Sequence, residues 1–375
     1  MKKRILFFIE SLSGGGAEQV LITLLRHLDY SHFEVGLMTV ADVGIHLADV
    51  DYSRVNYNTL IPHSGGFLKK LWYKLKYKLI YHYLPSSLVA KLIIPRGYDT
   101  YVAFVEGYCT KIIARLPKKV RKVAWVHIDL KTYPWTIEKR IYNCLEEEKV
   151  SYVQYNAVVC VSRSVEETMS TYYNLNNCQV IYNPLDTDKI RELSAIGAED
   201  MKLAAGFNII TVGRLVPQKG YDLLIPIIAR LRAAGLDVSL YILGDGECRK
   251  MLENQIIELD LCKYVHLLGY RPNPYALMRQ MNLFVCSSRA EGFSLVIAEA
   301  LALGVPVVST LCSGPNELLG NNQYGMLCPD HEELYQTISN IVRDATLYAD
   351  LKRRAEIRQD MADISRIIRQ VESVL

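Results

Sequence analysis

The chain has 375 residues, of which 50% are hydrophobic and 22% are charged. This length and composition predict two globular domains of ordinary size and exclude a largely disordered chain. The 43 basic and 40 acidic residues leave a net charge of only +3, so the overall charge does not indicate a nucleic-acid-binding protein.

The cysteines and the apolar runs bear on the cellular compartment of the protein and on whether it spans a membrane. The nine cysteines are scattered, odd in number and form no C-x-x-C pair. Cys160, Cys286 and Cys328 lie within apolar runs, where buried free thiols are expected, and free thiols favour a reducing cytoplasm. The apolar run at the amino terminus is too short for a signal peptide and predicts a first strand. No run reaches about 18 consecutive apolar residues, so no membrane span is predicted.

The first predicted strand, residues 5–9, leads into a loop with three consecutive glycines, Gly14, Gly15 and Gly16. Glycine lets a ligand approach the backbone closely, and the helix that follows favours an anion at its start. A dinucleotide-binding loop is an alternative explanation, in which Asp42, after the next strand, would hold a ribose. The loop, however, lacks the G-x-G-x-x-G spacing of that motif.

Residues 67–84 combine five lysines with no acidic residue. Several apolar residues recur at helical spacing within this segment and share one face of a predicted helix: Leu68, Leu71, Trp72, Leu75 and Leu79. This pattern is typical of a helix that lies on an anionic membrane surface. A helix packed on its own domain, with solvated lysines, is the alternative.

His127 directly follows the predicted strand at residues 123–126. Ligands of open α/β sheets bind at the carboxyl ends of the strands, so His127 is a candidate site residue, and a packed structural histidine is the alternative. Asp129 is a candidate partner that would orient the imidazole. Further along, the sequence predicts a helix over residues 135–150, and Ser164 with Glu167 has capping-box spacing.

A break at Asn183 and Pro184 separates two predicted domains. The first covers residues 1–183 and the second residues 184–354, and a C-terminal helix over residues 355–375 is predicted to cross back to the first domain. The D-x-D sequence that starts at Asp186 precedes a helical pattern. Helix capping therefore explains it better than a metal site, and no metal is predicted.

The α/β pattern restarts in the second domain with a predicted strand at residues 207–212, and a turn containing Gly213, Arg214 and Lys219 follows. An arginine offers a planar fork for phosphate oxygens, and a lysine offers a mobile point charge. Two cations at the carboxyl end of a strand would stabilise a departing diphosphate without a metal. The alternative is a surface arginine and lysine in an ordinary loop.

The most informative stretch follows a short apolar run, residues 283–286, which predicts a buried strand. A turn leads into an Ala-rich helix, and two carboxylates flank the helix start: Glu291 in the turn and Glu299 on the helix. The free N–H groups at the helix start favour an anion, and the carboxylates would accept hydrogen bonds from ligand hydroxyls. A nucleotide-sugar has both phosphates and hydroxyls. Two surface glutamates are the alternative.

Glu291 and Glu299, with seven residues between them, resemble the E-x7-E motif of the large retaining glycosyltransferase family 4, which has the GT-B fold. Residues 213–220 are similar to the G-R-x-x-x-x-K-G segment of that family. The resemblance covers most of the chain and is weak over residues 45–120. It implies two doubly wound, Rossmann-like α/β domains that face across a cleft, the first for the acceptor and the second for the nucleotide-sugar.

The resemblance also implies roles for the candidate residues. Glu299 would bind the ribose hydroxyls, Glu291 the sugar hydroxyls, and His127 would steady the transferring sugar. Arg214 and Lys219 would stabilise the leaving diphosphate. The remaining predicted donor-binding residues are Gly14, Gly15, Gly16, Gly213, Arg271, Gly292, Phe293, Ser294 and Leu295.

The implied reaction moves a sugar from a nucleoside-diphosphate sugar, UDP-linked rather than GDP-linked, to a hydroxyl of a glycan, with retention and without a metal. The acceptor is expected to be lipid-linked or an oligosaccharide of cell-surface polysaccharide synthesis, handled at the inner face of the plasma membrane. The nucleotide-sugar is a substrate, so no cofactor is expected, and neither is nucleic acid. The alternatives are an NAD(P)-dependent oxidoreductase and a non-catalytic partner subunit of the same fold.

Overall fold

The structure is a computed structural model that describes residues 1–62, 72, 75–197, 203–358 and 364–375. The chain divides into two compact units. The first unit contains Met1–Pro184 together with Ile364–Leu375, and the second contains Leu185–Asp363. Each unit is built on one parallel sheet.

The sheet of the first unit is formed by β1 (Lys3–Ile9), β2 (Phe33–Ala41), β3 (Val55–Ile61), β4 (Thr100–Ala103), β5 (Arg121–Val126), β6 (Ala157–Cys160) and β7 (Cys178–Val180). Its helices are α1 (Gly16–His27), α2 (Ser86–Leu92), α3 (Tyr108–Ile113), α4 (Trp135–Glu138), α5 (Leu145–Tyr152) and α6 (Arg163–Glu167). Short 3-10 or π-helical turns cover Ile45–Asp49, Leu79–Tyr83 and Thr168–Tyr172.

The strand order of this sheet is β3-β2-β1-β4-β5-β6-β7, and all neighbours are parallel. Strands of a parallel sheet covered by helices on both faces read as continuous apolar runs, and the side chains of β1 from Ile5 to Ile9 are all buried. The order reverses between β1 and β4. Ligands of doubly wound sheets bind outside the carboxyl ends of the strands at such a switch point.

The second unit repeats this plan. It begins with α7 (Thr187–Ala195), and its sheet is formed by β8 (Phe207–Val212), β9 (Val238–Leu243), β10 (Val265–Gly269), β11 (Leu283–Cys286), β12 (Val307–Thr310) and β13 (Met326–Cys328). Its other helices are α8 (Tyr221–Ala233), α9 (Arg249–Glu258), α10 (Tyr275–Met278), α11 (Leu295–Ala302), α12 (Ser313–Leu319), α13 (His331–Arg343) and α14 (Ala345–Ile357), with a 3-10 turn at Pro217–Lys219.

The parallel strands of the second sheet follow the order β10-β9-β8-β11-β12-β13, so the switch point lies between β8 and β11. Two neighbouring strands that are far apart in sequence therefore end side by side. The turns that follow β8 and β11 carry the predicted donor-site residues. The topology explains why these turns meet.

The C-terminal helix, α15 (Ile364–Val374), belongs to the first unit. The backbone N–H of Asp29 donates to the Glu372 carboxylate over 2.9 Å, and Arg121 Nε donates to the Val374 carbonyl over 3.1 Å. Val371 on the same helix is fully buried. Both ends of the chain thus contribute to the first unit.

The predicted α/β fold with two doubly wound, Rossmann-like units is confirmed. The strands predicted at residues 207–212 and 283–286 occupy those residues in the structure. Asp186 caps α7 by accepting the Lys189 N–H over 3.0 Å, so the interpretation of the D-x-D sequence as a helix cap is also confirmed.

Some local predictions were wrong. The helix predicted over residues 135–150 is interrupted between α4 and α5, because Arg140 adopts a left-handed conformation and the fully buried Tyr142 turns into the core. The side-chain cap of α6 is Ser162, which accepts the Val165 N–H, and not Ser164.

Candidate active site

Two turns at the carboxyl edge of the second sheet are bound to each other: the cationic turn, residues 213–220, and the acidic turn, residues 287–294. Ser287 Oγ donates to the Lys219 carbonyl over 2.9 Å, and the Arg289 N–H donates to the Gln218 carbonyl over 2.7 Å. Gly220 has a left-handed φ of 64°, and a Cβ there would lie 2.1 Å from the Ser287 carbonyl oxygen. Only glycine fits this close approach.

Lys219 and Glu291, which are 72 residues apart in sequence, form an ion pair between these turns. Lys219 Nζ lies 2.6 Å from Glu291 Oε1, and Ser288 Oγ donates to the same oxygen over 2.6 Å. Both side chains are largely buried. Burial opposes the charged form of Lys219, but Glu291 and other nearby groups outweigh this effect and raise the pKa of Lys219. Lys219 therefore carries a fixed positive charge at this edge of the sheet.

Arg214 and Arg271 lie nearer to solvent. Arg214 is exposed in the cationic turn, and Arg271 is half-exposed in the loop after β10. Neither guanidinium forms a hydrogen bond or an ion pair with other residues in the part of the chain that the structure describes. Each therefore has N–H donors available for an anionic ligand. The turn that contains Gly244 packs closely against Gly213, since a Cβ at Gly244 would be 2.0 Å from the Gly213 carbonyl oxygen.

The acidic turn enters α11 through a strained backbone. Gly292 and Phe293 are buried, Leu295 is half-buried, and Ser294, the N-cap of α11, has a left-handed φ of 66°. The Ser294 hydroxyl is buried without a hydrogen-bond partner among the described residues. A non-glycine residue in this conformation is uncommon and is found at ligand-binding turns. The helix start thus presents N–H groups and an unused hydroxyl.

Glu299 lies on α11 and is only 7% exposed. The Tyr275 hydroxyl donates to Glu299 Oε1 over 3.0 Å. Burial raises the pKa of Glu299 to about 7, although the hydrogen bond from Tyr275 opposes the shift. Tyr275 was not predicted as a site residue, because it is on a different helix and only the fold brings it to Glu299.

His127 lies at the carboxyl end of β5 in the first unit, as predicted. Its Nε2 lies 2.8 Å from the Phe104 carbonyl oxygen. A carbonyl can only accept, so Nε2 carries the proton. Burial lowers the pKa of His127 to about 4 against the opposing effect of this hydrogen bond, so the imidazole is neutral near pH 7. Nδ1 is consequently a hydrogen-bond acceptor.

The hydrogen bonds of two acidic residues near His127 differ from those expected from the sequence. Asp129, the predicted partner of the imidazole, accepts hydrogen bonds from Thr168 Oγ1 over 2.9 Å and from the Lys131 N–H over 3.0 Å, and it binds these groups instead of the ring. Glu106, which sequence reasoning did not assign to the site, accepts hydrogen bonds from the backbone N–H groups of His127 and Ile128.

The glycine loop of the first unit lies at the carboxyl end of β1. Gly14 has a φ of 98°, Gly15 is the N-cap of α1, and Gly16 is the first residue of that helix. No side chain caps this helix start in the structure. Asp42, the candidate ribose ligand of a dehydrogenase, accepts a hydrogen bond from the Tyr57 hydroxyl over 2.8 Å.

Within the described residues, no cluster of three or more His, Cys, Asp or Glu side chains is arranged to hold a metal ion. Across the same residues, no helix is both long and apolar enough to pass through a bilayer. Of the lysine-rich segment, residues 67–71 and 73–74 lie outside the described part of the chain.

Comparison with known proteins gives the family. The family model "Glycosyltransferase Family 4" matches residues 14–189, and "Glycosyl transferases group 1" matches residues 204–358. A Campylobacter jejuni protein, N-acetylgalactosamine-N,N'-diacetylbacillosaminyl-diphospho-undecaprenol 4-alpha-N-acetylgalactosaminyltransferase, is 31% identical over 381 residues and 96% of each chain. An uncharacterized glycosyltransferase of Haemophilus influenzae is 23% identical over the whole of both chains.

A solved structure supports the same fold. HepE of Anabaena, crystallised in complex with UDP-glucose, superimposes with a TM-score of 0.77 at 22% sequence identity, covering 99% of this chain and 98% of HepE. At this level of identity the likeness concerns the fold. Taken with the full-length similarity to the Campylobacter jejuni enzyme, these matches show that the chain belongs to the GT-B glycosyltransferases of the family 4 type.

Proposed function

We propose that the protein transfers a sugar from a UDP-sugar to a hydroxyl of a lipid-linked glycan, with retention of the anomeric configuration. The observation that carries this proposal is the buried Lys219–Glu291 pair at the carboxyl edge of the second sheet. A cation and a carboxylate 2.6 Å apart offer binding groups for a phosphate and for a sugar hydroxyl in neighbouring positions.

The residues of the two turns and Glu299 have separate tasks in this reaction. Arg214 and Lys219 stabilise the negative charge that grows on the diphosphate as its bond to the sugar breaks. The N–H groups at the start of α11 hold a phosphate or the sugar, with Gly292, Phe293 and Ser294 forming the turn. Glu291 binds the sugar hydroxyls, and Glu299 binds the ribose.

The proposed chemistry balances without a covalent enzyme intermediate or a metal. The bond between the anomeric carbon and the diphosphate oxygen breaks, and a bond to the acceptor oxygen forms on the same face. The proton of the acceptor hydroxyl passes to the departing diphosphate. His127 is neutral and accepts a hydrogen bond, so it steadies a sugar hydroxyl and does not act as an acid.

The relatives support the choice of substrates. The Campylobacter jejuni enzyme is named for an α-linked transfer to a diphospho-undecaprenol glycan, and HepE was crystallised with UDP-glucose. An α-linked product from an α-configured donor requires retention. These names favour a UDP-sugar over a GDP-sugar and a lipid-linked acceptor over a free oligosaccharide.

A lipid-linked acceptor requires access to a membrane, and the first unit has an apolar stripe that suits one. Trp72, Leu75, Leu79 and Tyr83 recur at helical spacing, and each is between 48% and 66% exposed. Lys76 and Lys78 are exposed in the same segment. Exposed apolar side chains next to lysines are typical of segments that lie on an anionic bilayer. We place this stripe on the inner face of the plasma membrane.

Incubation of the purified protein with a panel of UDP- and GDP-sugars, with and without an undecaprenyl-diphosphate-linked glycan, tests the proposal. We expect release of UDP and an acceptor that is heavier by one α-linked sugar. A non-catalytic partner subunit would bind a nucleotide without turnover. The absence of nucleotide release from every donor would therefore refute the proposed activity.

A further inference from the structure

We infer that Glu106 is a positioning residue that holds His127 in the orientation needed to receive a hydroxyl of the transferring sugar, an inference that rests on the proposed function. Glu106 follows β4 and is only 4% exposed. Its Oε1 accepts hydrogen bonds from the backbone N–H groups of both His127 and Ile128, the latter over 2.9 Å. One buried carboxylate thus fixes the backbone of His127 and Ile128, and with it the position of the His127 imidazole.

The sheet explains why a side chain is needed at this point. The paired register between β4 and β5 ends at Ala103 and Ala124, and its continuation places Glu106 opposite His127. The Phe104 carbonyl accepts a hydrogen bond from the imidazole Nε2. The Glu106 carboxylate satisfies the two N–H groups beyond the paired region, and leaving such groups unpaired in the interior is costly.

These contacts determine what the imidazole can bind. Glu106 holds the His127 backbone, and the Phe104 carbonyl holds the imidazole Nε2. The imidazole ring also lies against the Phe104 ring, with the ring centroids 5.2 Å apart. Nδ1 remains as an acceptor on a neutral ring. A phosphate oxygen is also an acceptor at neutral pH, whereas a sugar hydroxyl can donate. The geometry therefore directs His127 to the sugar and not to the diphosphate.

A matched control exists in the same unit. Glu148 is another buried carboxylate, and it accepts a hydrogen bond from the Tyr173 hydroxyl over 2.7 Å. Neither Glu148 nor Tyr173 forms one of the hydrogen bonds that hold His127, although Glu148 is near enough to Glu106 to contribute to its raised pKa. The variant Tyr173→Phe thus removes a buried hydrogen bond and destabilises the first unit while the contacts of His127 are retained.

The test is the steady-state kinetics of Glu106→Ala, Glu106→Gln, His127→Ala and the double variant Glu106→Ala/His127→Ala. We expect Glu106→Ala to lower kcat about 10- to 100-fold, the scale for a misplaced contact group, with the affinity for UDP unchanged. Glu106→Gln keeps an acceptor oxygen but cannot ionise. Burial raises the pKa of Glu106 to about 7, so the two proteins are compared at pH 8, where we expect roughly a 3- to 10-fold loss because neutral hydrogen bonds are weaker. Tyr173→Phe should lower Tm and leave kcat unchanged.

The double variant separates positioning from general stability. If Glu106 acts through His127, the double variant should be no slower than His127→Ala, since residues in one network are not additive. Additive losses of kcat, or a loss in Tyr173→Phe equal to that in Glu106→Gln, would overturn the inference. Glu106→Gln retains the side-chain shape and keeps the test valid if Glu106→Ala does not fold.

A readout independent of turnover distinguishes failure of this inference from failure of the proposed function. The nitrogen NMR shifts of His127 report which ring nitrogen is protonated. We expect a single Nε2-protonated tautomer in the wild-type protein and a mixture of tautomers in Glu106→Ala, because the His127 backbone is then no longer held where the ring meets the Phe104 carbonyl. Identical spectra would refute the positioning role even in an active enzyme, and an inactive wild-type protein would refute only the proposed activity.

Discussion

At the scale of single residues, Arg214 and Lys219 have the same predicted role but different surroundings. Lys219 forms a largely buried ion pair with Glu291, whereas Arg214 is exposed and makes no such pair within the described residues. Removal of one partner of a buried pair leaves an uncompensated charge, but an exposed side chain is removed with little effect on stability. The two cations can therefore be distinguished by stability as well as by rate.

We predict that Arg214→Ala and Lys219→Ala each lower kcat by roughly 10- to 1,000-fold, the scale for loss of one group that stabilises developing charge. Only Lys219→Ala should also lower Tm. Steady-state kinetics measure the change in kcat, and thermal unfolding measures the change in Tm. Lys219→Met is measured as well, because it has a neutral side chain of similar length. Normal turnover of either alanine variant would remove that residue from the mechanism.

We predict that Glu299 makes donor binding depend on pH. Burial raises the pKa of Glu299 to about 7, so the carboxyl group is largely protonated below pH 7 and ionised above it. An ionised carboxylate accepts the ribose hydroxyls more strongly. We therefore predict that donor affinity increases as pH rises from 6 to 8, by at most about tenfold per pH unit below the pKa.

Calorimetric titration of UDP at several pH values measures this dependence. In Glu299→Gln the dependence should disappear. In Tyr275→Phe its midpoint should move to a higher pH, because the hydrogen bond from Tyr275 lowers the pKa of Glu299. A wild-type affinity that does not change between pH 6 and 8 would show that Glu299 does not titrate in this range or does not contact the nucleotide.

At the scale of elements, the exposed apolar stripe formed by Trp72, Leu75, Leu79 and Tyr83 predicts reversible membrane binding. The exposed lysines next to it should make binding weaken as salt increases, since counterions screen surface charge within about 10 Å at 0.1 M salt. We predict that the wild-type protein sediments with vesicles containing anionic lipid and dissociates at high salt. The double variant Leu75→Glu/Leu79→Glu should not sediment.

The matched control is Val153→Glu, another exposed apolar residue of the first unit outside the stripe. It should bind vesicles as the wild type does. Lys76→Gln/Lys78→Gln should bind anionic vesicles more weakly and neutral vesicles unchanged. Equal binding of the wild type to anionic and neutral vesicles would contradict the electrostatic part of the proposal.

The elements also show how far the sequence determines the fold. The central strands were predicted because burial on both faces produces continuous apolar runs, as at Leu283–Cys286. The strand β3 was not predicted. It lies at the edge of its sheet, and its sequence alternates polar and apolar residues. The break after Arg140 was missed because a buried Tyr142, not a Gly or Pro signal, determines it.

The candidate site was predictable in part for a related reason. Lys219 and Glu291 each end a recognisable strand-and-turn pattern, and the sheet order then brings them together. Glu106 and Tyr275 carry no comparable local signal. Glu106 forms a hydrogen bond with His127, 21 residues away, and Tyr275 forms one with Glu299, 24 residues away. Only the tertiary structure identifies these partners. The sequence therefore indicates residues within a local motif better than residues whose hydrogen-bond partners are distant in the chain.

At the scale of the whole molecule, each unit has its own sheet and core, but the first unit is completed by α15 from the far end of the chain. Ile367, Ile368 and Val371 of α15 are buried, whereas Arg369 between them is exposed. Stability of the first unit should therefore depend on residues that follow the whole of the second unit. UDP binding should not depend on them, because the groups proposed to hold the diphosphate and the ribose, Arg214, Lys219 and Glu299, all lie in the second unit.

We predict that Val371→Asp destabilises the first unit by more than about 4 kcal/mol, because it places an unpaired charge in the interior. Arg369→Asp, two residues away on the exposed face, should unfold as the wild type does. In both variants a saturating concentration of UDP should still raise the unfolding temperature of the second unit, by an amount that follows from mass action. Calorimetry with and without UDP separates the two transitions, and loss of UDP binding in Val371→Asp would show that the nucleotide site depends on the first unit.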